Sequence, residues 1–319
     1  MTERRTLLLS AVLGFVLMPH GHENEVIALF GPTGVGKTDV AIALADLLRV
    51  RKERPIAISA DALQVYRGLE ALTGAATAKE QARLEHRLLS FVPVESEFSV
   101  GEFMPLAHAE IDAALAAGRR PIVVGGTGLY LRAALTELDL KPPAPRELRA
   151  RIEADMDRRG AEAMHAALPP SAADTIPPTD RSRIVRALEL AEIGQDAEPP
   201  QESQLWTSDT RVPTLLFGLT MDRDALYERI DARVDGIVAA GAVDEVERGR
   251  QSASRTARKA LGFEELLAGD VEAIKRRTRN YAKRQLTWMR KLPDVRLIDL
   301  SGGRSRLDAA AEIARVLHP

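Results

Sequence analysis

Residues 26–38 read VIALFGPTGVGKT, and this stretch decides the fold class. Its first five residues are apolar and typical of a buried strand, and the remainder matches the pattern G-x-x-x-x-G-K-[ST]. In such a loop, backbone N–H groups curl around phosphate oxygens, Lys37 adds a positive charge, and the Thr38 hydroxyl can bind Mg²⁺. We predict that a diphosphate-like group, not necessarily that of ATP, binds to Gly31, Pro32, Thr33, Gly34, Val35, Gly36, Lys37 and Thr38.

The rest of the chain alternates strand-like apolar runs with amphipathic helical stretches, a pattern typical of a parallel sheet covered by helices. Strands are predicted at 26–30, 55–59, 86–92, 121–124, 213–219 and 295–300. Helices are predicted at 37–50, 100–117, 129–138, 223–240, 243–250, 263–268 and 271–290. The predicted fold is therefore α/β, with a P-loop NTPase-like parallel sheet flanked by helices and an inserted helical domain.

Prolines divide the chain. They cluster at 142–145 and at 199–200, and the sequence between these linkers has helical character with breaks at 169–170 and 177–178. We predict a first part of the α/β core at 25–141, a helical insertion at 142–205, and a second part of the core at 206–319 that carries a basic helix at 271–291.

Residues 1–24 form an amino-terminal leader that superficially resembles a secretion signal, with a basic start and an apolar run from Leu7 to Met18. The run has no small-residue cleavage site and is shorter than the ~20 apolar residues that span a bilayer. We favour a start codon placed too far upstream, with Met18 as the working start. A genuine cytoplasmic extension and export are the alternatives.

Composition excludes several classes of protein. The chain has 44 basic and 46 acidic residues, so it is not a globally basic nucleic-acid binder, although a local basic patch remains compatible with this balance. It has no cysteine, which excludes disulfides, iron–sulfur clusters and thiol nucleophiles and fits a reducing cytoplasm. We expect a cytoplasmic protein that does not contact membranes and acts as a monomer.

One carboxylate follows a predicted strand at the edge of the sheet where ligands bind. Asp61 lies just after strand 55–59, whereas strand 121–124 ends in Gly-Gly-Thr-Gly without the acid that holds the metal in ordinary P-loop kinases. We predict that Asp61 faces the phosphate loop and either orients a metal or acts as a general base. The alternative is that Asp61 only caps the following turn.

A basic segment near the carboxyl terminus has the chemistry of an RNA contact. Residues 275–291, KRRTRNYAKRQLTWMRK, contain eight basic residues and no acid. We expect the charges to contact phosphates. Tyr281 and Trp288 lie seven residues apart on one helical face, and for these aromatics we favour packing on the core over stacking on bases.

Five motifs, in this order, resemble those of bacterial tRNA dimethylallyltransferases, also called tRNA isopentenyltransferases. They are GPTGVGKT at 31–38, DALQVYRG at 61–68, GGTGLY at 125–130, RIVRALE at 183–189 and TRNYAKRQLTW at 278–288. The resemblance implies that the P-loop binds the diphosphate of dimethylallyl diphosphate. It also implies transfer of the dimethylallyl group to the exocyclic N6 amine of the adenosine 3′-adjacent to the anticodon, in tRNAs that read codons beginning with U.

The resemblance also implies residue roles. Asp61 would be the general base, Thr127 would contact the adenosine, and Lys37 would complete the catalytic set with Mg²⁺ at Thr38. The tRNA, bound through its anticodon stem-loop, would contact Asp61, Ala62, Leu63, Gln64, Thr127, Arg149, Arg183, Arg186, Arg279, Lys283 and Arg284. The sequence departs from the family pattern at Ala62, where a serine is usual, at 72–79, and at Phe263.

Three other functions compete with this interpretation. A P-loop kinase for a small molecule or nucleotide would explain residues 31–38 and Asp61, but it would leave the helical insertion and the basic helix without a role. An enzyme that prenylates free adenine nucleotides would not need them either. A pure RNA-binding protein would not need an intact phosphate loop.

Overall fold

A computed structural model of the chain describes residues 25–198 and 203–317. The predicted leader and the proposed start at Met18 lie outside these residues. The chain divides into two compact units, one formed by the segments before Leu138 and after Thr207, and a second formed by Leu138–Thr207.

The first unit is built on a six-stranded sheet in which every adjacent pair of strands is parallel. The strands in the described part of this unit are β1 (Val26–Phe30), β2 (Pro55–Ser59), β3 (Tyr66–Arg67), β4 (His86–Arg87), β5 (Val92–Pro93), β6 (Arg120–Gly125), β7 (Thr214–Thr220) and β8 (Arg296–Asp299). The strand order in the large sheet is β4-β2-β6-β1-β7-β8, and β3 pairs with β5 in a separate small sheet. The predicted α/β fold with a parallel sheet is confirmed.

The α-helices within residues 25–198 and 203–317 follow in chain order. They are α1 (Lys37–Val50), α2 (Glu70–Thr73), α3 (Ala78–Arg83), α4 (Val100–Ala116), α5 (Gly128–Leu135), α6 (Arg146–Arg159), α7 (Ala161–His165), α8 (Pro170–Ala173), α9 (Arg181–Glu192), α10 (Arg223–Ala239), α11 (Ala242–Gly249), α12 (Phe263–Leu267), α13 (Val271–Met289) and α14 (Arg306–Leu317). None of the helices described is both long and apolar enough to cross a membrane.

The single strand predicted at 86–92 is wrong. Leu88 and Ser90 both adopt positive φ angles, 56° and 50°, which turn the backbone out of the extended conformation. The segment therefore divides into β4, which pairs with β2, and β5, which pairs with β3. The sequence prediction also lacked β3 and the helices α2, α3 and α14.

The core explains why these runs are strands. All five residues of β1 are fully buried, as expected for a central parallel strand covered on both faces. One large apolar cluster joins the sheet to α1 and α14, with Leu44 and Leu48 contributed by α1 and Ile313 by α14. A second cluster, which includes Tyr66 and Ile274, packs around the small sheet, α11, α12 and α13.

The second unit contains α6 to α9 and, within residues 138–198 and 203–207, no strand. Its own apolar core includes Ile152, Met156, Met164 and Ile184. The predicted breaks have local causes: α8 starts at Pro170, and α9 starts after Asp180, whose side chain accepts a hydrogen bond from the Arg183 amide.

Candidate active site

A cavity of about 250 Å³ lies in the first unit, beside the loop that joins β1 to α1. Gly34 and Gly36 adopt φ angles of 82° and 100°, which residues with a side chain disfavour. Because these two positions are glycines, the loop backbone can come close to a ligand in the cavity. Thr33, Lys37, Thr38, Asp61 and Gly126 share the cavity wall, so the predicted phosphate loop and the predicted acid do face one crevice. Parallel strands explain this, because β1, β2 and β6 present their carboxyl ends at the same edge.

Lys37 is held on its own loop. Its Nζ donates to the carbonyl oxygens of Gly31 at 2.9 Å and Pro32 at 3.1 Å. Burial lowers the pKa of Lys37 to about 8; the negative charge of Asp61 opposes this effect, and Arg233 adds to it. A bound anion would favour the charged form of this lysine.

The two carboxylate oxygens of Asp61 have different surroundings. Oδ1 accepts hydrogen bonds from the backbone N–H groups of Leu63 at 3.0 Å and Gln64 at 3.3 Å, so the turn-capping alternative describes this oxygen. Oδ2 accepts no hydrogen bond from the residues that the structure describes. The turn therefore fixes the carboxylate while leaving one oxygen able to accept a proton.

Thr127 connects Asp61's segment to α13. Its Oγ1 lies 3.4 Å from the Ala62 amide nitrogen, which donates to it, and 3.3 Å from the Tyr281 hydroxyl. Tyr281 lines the cavity, and burial, assisted by the charge of Asp61, raises its pKa to about 12. Trp288 packs over Gly128, whereas Tyr281 lines the cavity, so the core packing favoured for these two aromatics stays a prediction.

Two arginines that the sequence prediction missed complete the polar end of the cavity. Arg229 on α10 donates from Nε to the Gly34 carbonyl at 2.9 Å, and Arg233 donates to the carbonyls of Thr73 and Gly74 at 3.2 Å each. Within residues 25–198 and 203–317, neither guanidinium pairs with a carboxylate. Their four-residue spacing on one face of a helix was the available signal.

Part of the cavity lining, here called the apolar wall, consists of apolar side chains. It is formed by residues from five separate segments, which are Leu63, Leu72, Val234, Ile237, Leu261 and Ile274. A ligand with a charged head and a short hydrocarbon tail fits such a division.

The metal-binding groups in the cavity are few. No cluster of three or more histidine, cysteine or acidic side chains is present in the part of the chain that the structure describes. The Thr38 side chain lines the cavity beside the phosphate loop. This arrangement fits Mg²⁺ carried largely by phosphate oxygens and water, the usual way this ion binds with phosphorylated ligands.

Three predicted tRNA contacts, Arg149, Arg183 and Arg186, belong to the second unit. Arg149 and Arg186 bind the fully buried Glu189 at 3.0 and 3.1 Å, and Arg186 also donates to the carbonyls of Lys141 and Pro142. Arg183 is instead 66 % exposed, with Asp180 3.4 Å away. Of the three, Arg183 has the guanidinium most accessible to a phosphate.

The remaining predicted contacts lie on α13. Arg279 makes bonds of 2.6 and 2.7 Å to both oxygens of Asp231, which already neutralise it. Lys283 and Arg284 are exposed and lie over the rings of Tyr227 and Tyr281. These two side chains are the more available cations of the group.

The parallel sheet and the phosphate loop, with an acid and an apolar wall in the same cavity, define a P-loop protein whose cavity suits a phosphorylated ligand that carries a hydrocarbon group. A family model described as IPP transferase matches residues 64–292, and one described as isopentenyl transferase matches residues 24–96. The chain belongs to the IPP transferase family.

Individual proteins similar to this chain are consistent with the family assignment. The chain is 41 % identical to a tRNA dimethylallyltransferase of Symbiobacterium thermophilum, over 92 % of this chain and 94 % of that protein. It is also 41 % identical to a tRNA dimethylallyltransferase of Thermobifida fusca, over 85 % and 89 % of the two chains.

Solved structures share the fold. The tRNA isopentenylpyrophosphate transferase of Bacillus halodurans superposes with a TM-score of 0.65 at 32 % identity, covering 92 % of this chain and 97 % of that one. A eukaryotic dimethylallyltransferase acting on tRNA has a TM-score of 0.70 at 24 % identity, covering 91 % and 77 %, and it supports the fold alone.

Proposed function

We propose that this protein transfers a dimethylallyl group from dimethylallyl diphosphate to the N6 amine of the adenosine 3′-adjacent to the anticodon, in tRNAs that read codons beginning with U. The observation that carries the proposal is the single cavity that joins an anion-binding loop, an apolar wall and the carboxylate of Asp61. The names of the relatives support tRNA as the acceptor.

The donor has a charged diphosphate and an apolar five-carbon group, and the cavity offers a matching surface for each. The diphosphate would lie on the loop residues Thr33 to Thr38, with Lys37 and the cavity-lining Arg229 and Arg233 as counter-charges. The five-carbon group would lie against the apolar wall, where burial contributes about 0.8 kcal/mol per methylene. Transfer breaks the carbon–oxygen bond to the diphosphate, and preorganised positive charge stabilises the leaving group as its charge grows.

The acceptor nitrogen loses a proton as it attacks. Asp61 Oδ2 would take that proton, because Oδ1 is occupied by the amides of Leu63 and Gln64. A base positioned in this way typically contributes ~10²- to 10⁴-fold to the rate. The Thr127 hydroxyl, beside the Ala62 amide, would orient the adenosine. The base must leave its stack, which costs least in a single-stranded loop.

Mg²⁺ is the proposed cofactor. The Thr38 hydroxyl and the diphosphate oxygens would hold it, and when bound it would neutralise charge on the leaving diphosphate. We also propose that Arg183, Lys283 and Arg284 contact the anticodon stem-loop, and that the enzyme acts as a cytoplasmic monomer.

A small-molecule kinase is not favoured. The strand that would carry a metal-binding acid in such an enzyme, β6, ends at Gly125 and continues into Gly126 and Thr127. A γ-phosphate acceptor would also have no use for the apolar wall.

The experiment is incubation of the protein with radiolabelled dimethylallyl diphosphate and Mg²⁺, with tRNA, AMP or ATP as acceptor and Lys37→Ala as the inactive control. We expect label in tRNA alone, and at the adenosine 3′-adjacent to the anticodon after nuclease digestion. Label in AMP or ATP but not in tRNA would contradict the proposal, as would phosphate transfer from ATP without any prenylation.

A further inference from the structure

We propose that Arg306, at the start of the carboxyl-terminal helix α14, is a further substrate-binding residue that contacts the diphosphate of the donor. The inference rests on the proposed function. It concerns a residue beyond position 292, where the match to the IPP transferase family model ends.

The position of Arg306 follows from packing far from the cavity. α14 lies along α1 through a shared apolar core that includes Leu44 and Leu48 on one side and Ile313 and Leu317 on the other. This packing sets the first residue of α14 against the phosphate loop. A Cβ atom built on Gly36 would lie 2.6 Å from Arg306 Nε and 3.3 Å from its Cζ and Nη2.

Gly36 is the N-cap residue of α1, and the amino-terminal end of this helix is the end that favours anions. It caps α1 without a side-chain hydrogen bond, and Lys37 and Thr38 follow it directly. The N–H groups of a helix's first turn point outward and favour negative charge. The Arg306 guanidinium therefore adds a full positive charge beside donors that already attract a phosphate.

No carboxylate in the described part of the chain forms an ion pair with Arg306. Its guanidinium makes one long hydrogen bond, 3.4 Å to the Arg304 carbonyl. Arg304, two residues earlier, does pair with Glu312 on the same helix. Glu312 thus neutralises Arg304, whereas the guanidinium of Arg306, beside the phosphate loop, stays available to bind an anion.

The local electrostatics agree with an anion between these groups. Burial and the charge of Arg229 both lower the pKa of Arg306, and Asp39 partly offsets them. Two like charges held together at one loop repel each other, and a diphosphate would relieve that repulsion. Because the leaving diphosphate gains charge during transfer, the contact would strengthen as the reaction proceeds.

The test measures binding of inorganic pyrophosphate with Mg²⁺ to the full-length protein by titration calorimetry. We expect Arg306→Gln to weaken binding about tenfold or more, the effect of losing one charge-assisted hydrogen bond. Arg306→Lys should recover part of the affinity. Arg315→Gln, an exposed arginine on the same helix, is the matched control and should bind as the wild type does.

Two further measurements separate binding from a merely structural role. Arg306→Gln should raise KM for dimethylallyl diphosphate while its melting temperature and tRNA affinity stay at wild-type values. Wild-type pyrophosphate affinity in Arg306→Gln, with loss of binding in Lys37→Ala, would overturn the inference and leave the proposed function standing. An equal fall in tRNA affinity or a lowered melting temperature would also overturn it. A wild-type protein that binds no pyrophosphate would overturn the proposed function itself.

Discussion

Gln285 on α13 accepts a hydrogen bond from the backbone N–H of Thr33 at 2.8 Å, although the two residues are 252 positions apart. The other end of the same amide donates to the Gly126 carbonyl at 2.7 Å. One buried side chain therefore joins the phosphate loop, the turn before Thr127 and the basic helix. This explains why α13, which has the composition of an RNA contact, also forms part of the cavity wall.

Replacing Gln285 with alanine should damage both stability and catalysis. The change leaves the Thr33 N–H and the Gly126 carbonyl without a partner, and an unsatisfied buried group costs about 1–3 kcal/mol. We expect a lower free energy of unfolding in denaturant titration and a reduced kcat. Thr287→Ala, on the exposed side of α13, is the control and should change neither; equal effects of the two substitutions would contradict the role of Gln285.

Replacing Asp61 with asparagine should separate binding from proton transfer. The asparagine Oδ1 can still accept from the Leu63 and Gln64 amides, so the turn should persist while the proton acceptor is lost. We expect pyrophosphate affinity close to that of the wild type and a kcat lower by ~10²- to 10⁴-fold. A parallel loss of pyrophosphate affinity would show that Asp61 holds the metal instead.

Arg183 and Arg186 should behave differently although both were predicted to contact tRNA. Arg183→Ala removes an exposed cation, so tRNA affinity should fall and the slope of its salt dependence should decrease by about 1. Arg186→Ala should instead lower the stability of the second unit, since Glu189 is buried and loses one of its two arginines. Filter binding at several salt concentrations and thermal melts distinguish the two; an unchanged salt slope in Arg183→Ala would remove it from the interface.

Lys37 should make the free energy of unfolding depend on pH. Its pKa is about 8 in the folded protein against 10.5 for the ordinary side chain, so between these values the unfolded chain holds more protons. The free energy of unfolding of the ligand-free protein should therefore rise with pH from about 8 to 10.5, relative to Lys37→Met. Denaturant titrations across this window measure the difference, and a fall with rising pH would contradict the assignment.

Much of the fold was predictable because its signals are local. The strand, the loop and the start of α1 lie within 13 consecutive residues, and backbone geometry alone brings the loop amides together. Asp61 was predictable because parallel strands place their carboxyl ends at one edge. The division at 86–92 was not, because it depends on two residues with positive φ that no glycine marks.

The sequence by itself determined the α/β class, the phosphate loop, the acid opposite it and the family, because each is encoded in a short, contiguous motif. Only the tertiary structure decided which distant side chains share the cavity. Arg229 and Gln285 come from two helices, α10 and α13, and the packing of these helices brings both side chains to the cavity. Packing of a third helix, α14, places Arg306 beside Gly36 of the phosphate loop. Within the second unit, packing of its own helices commits Arg149 and Arg186 to the buried Glu189, because a buried carboxylate must be paired.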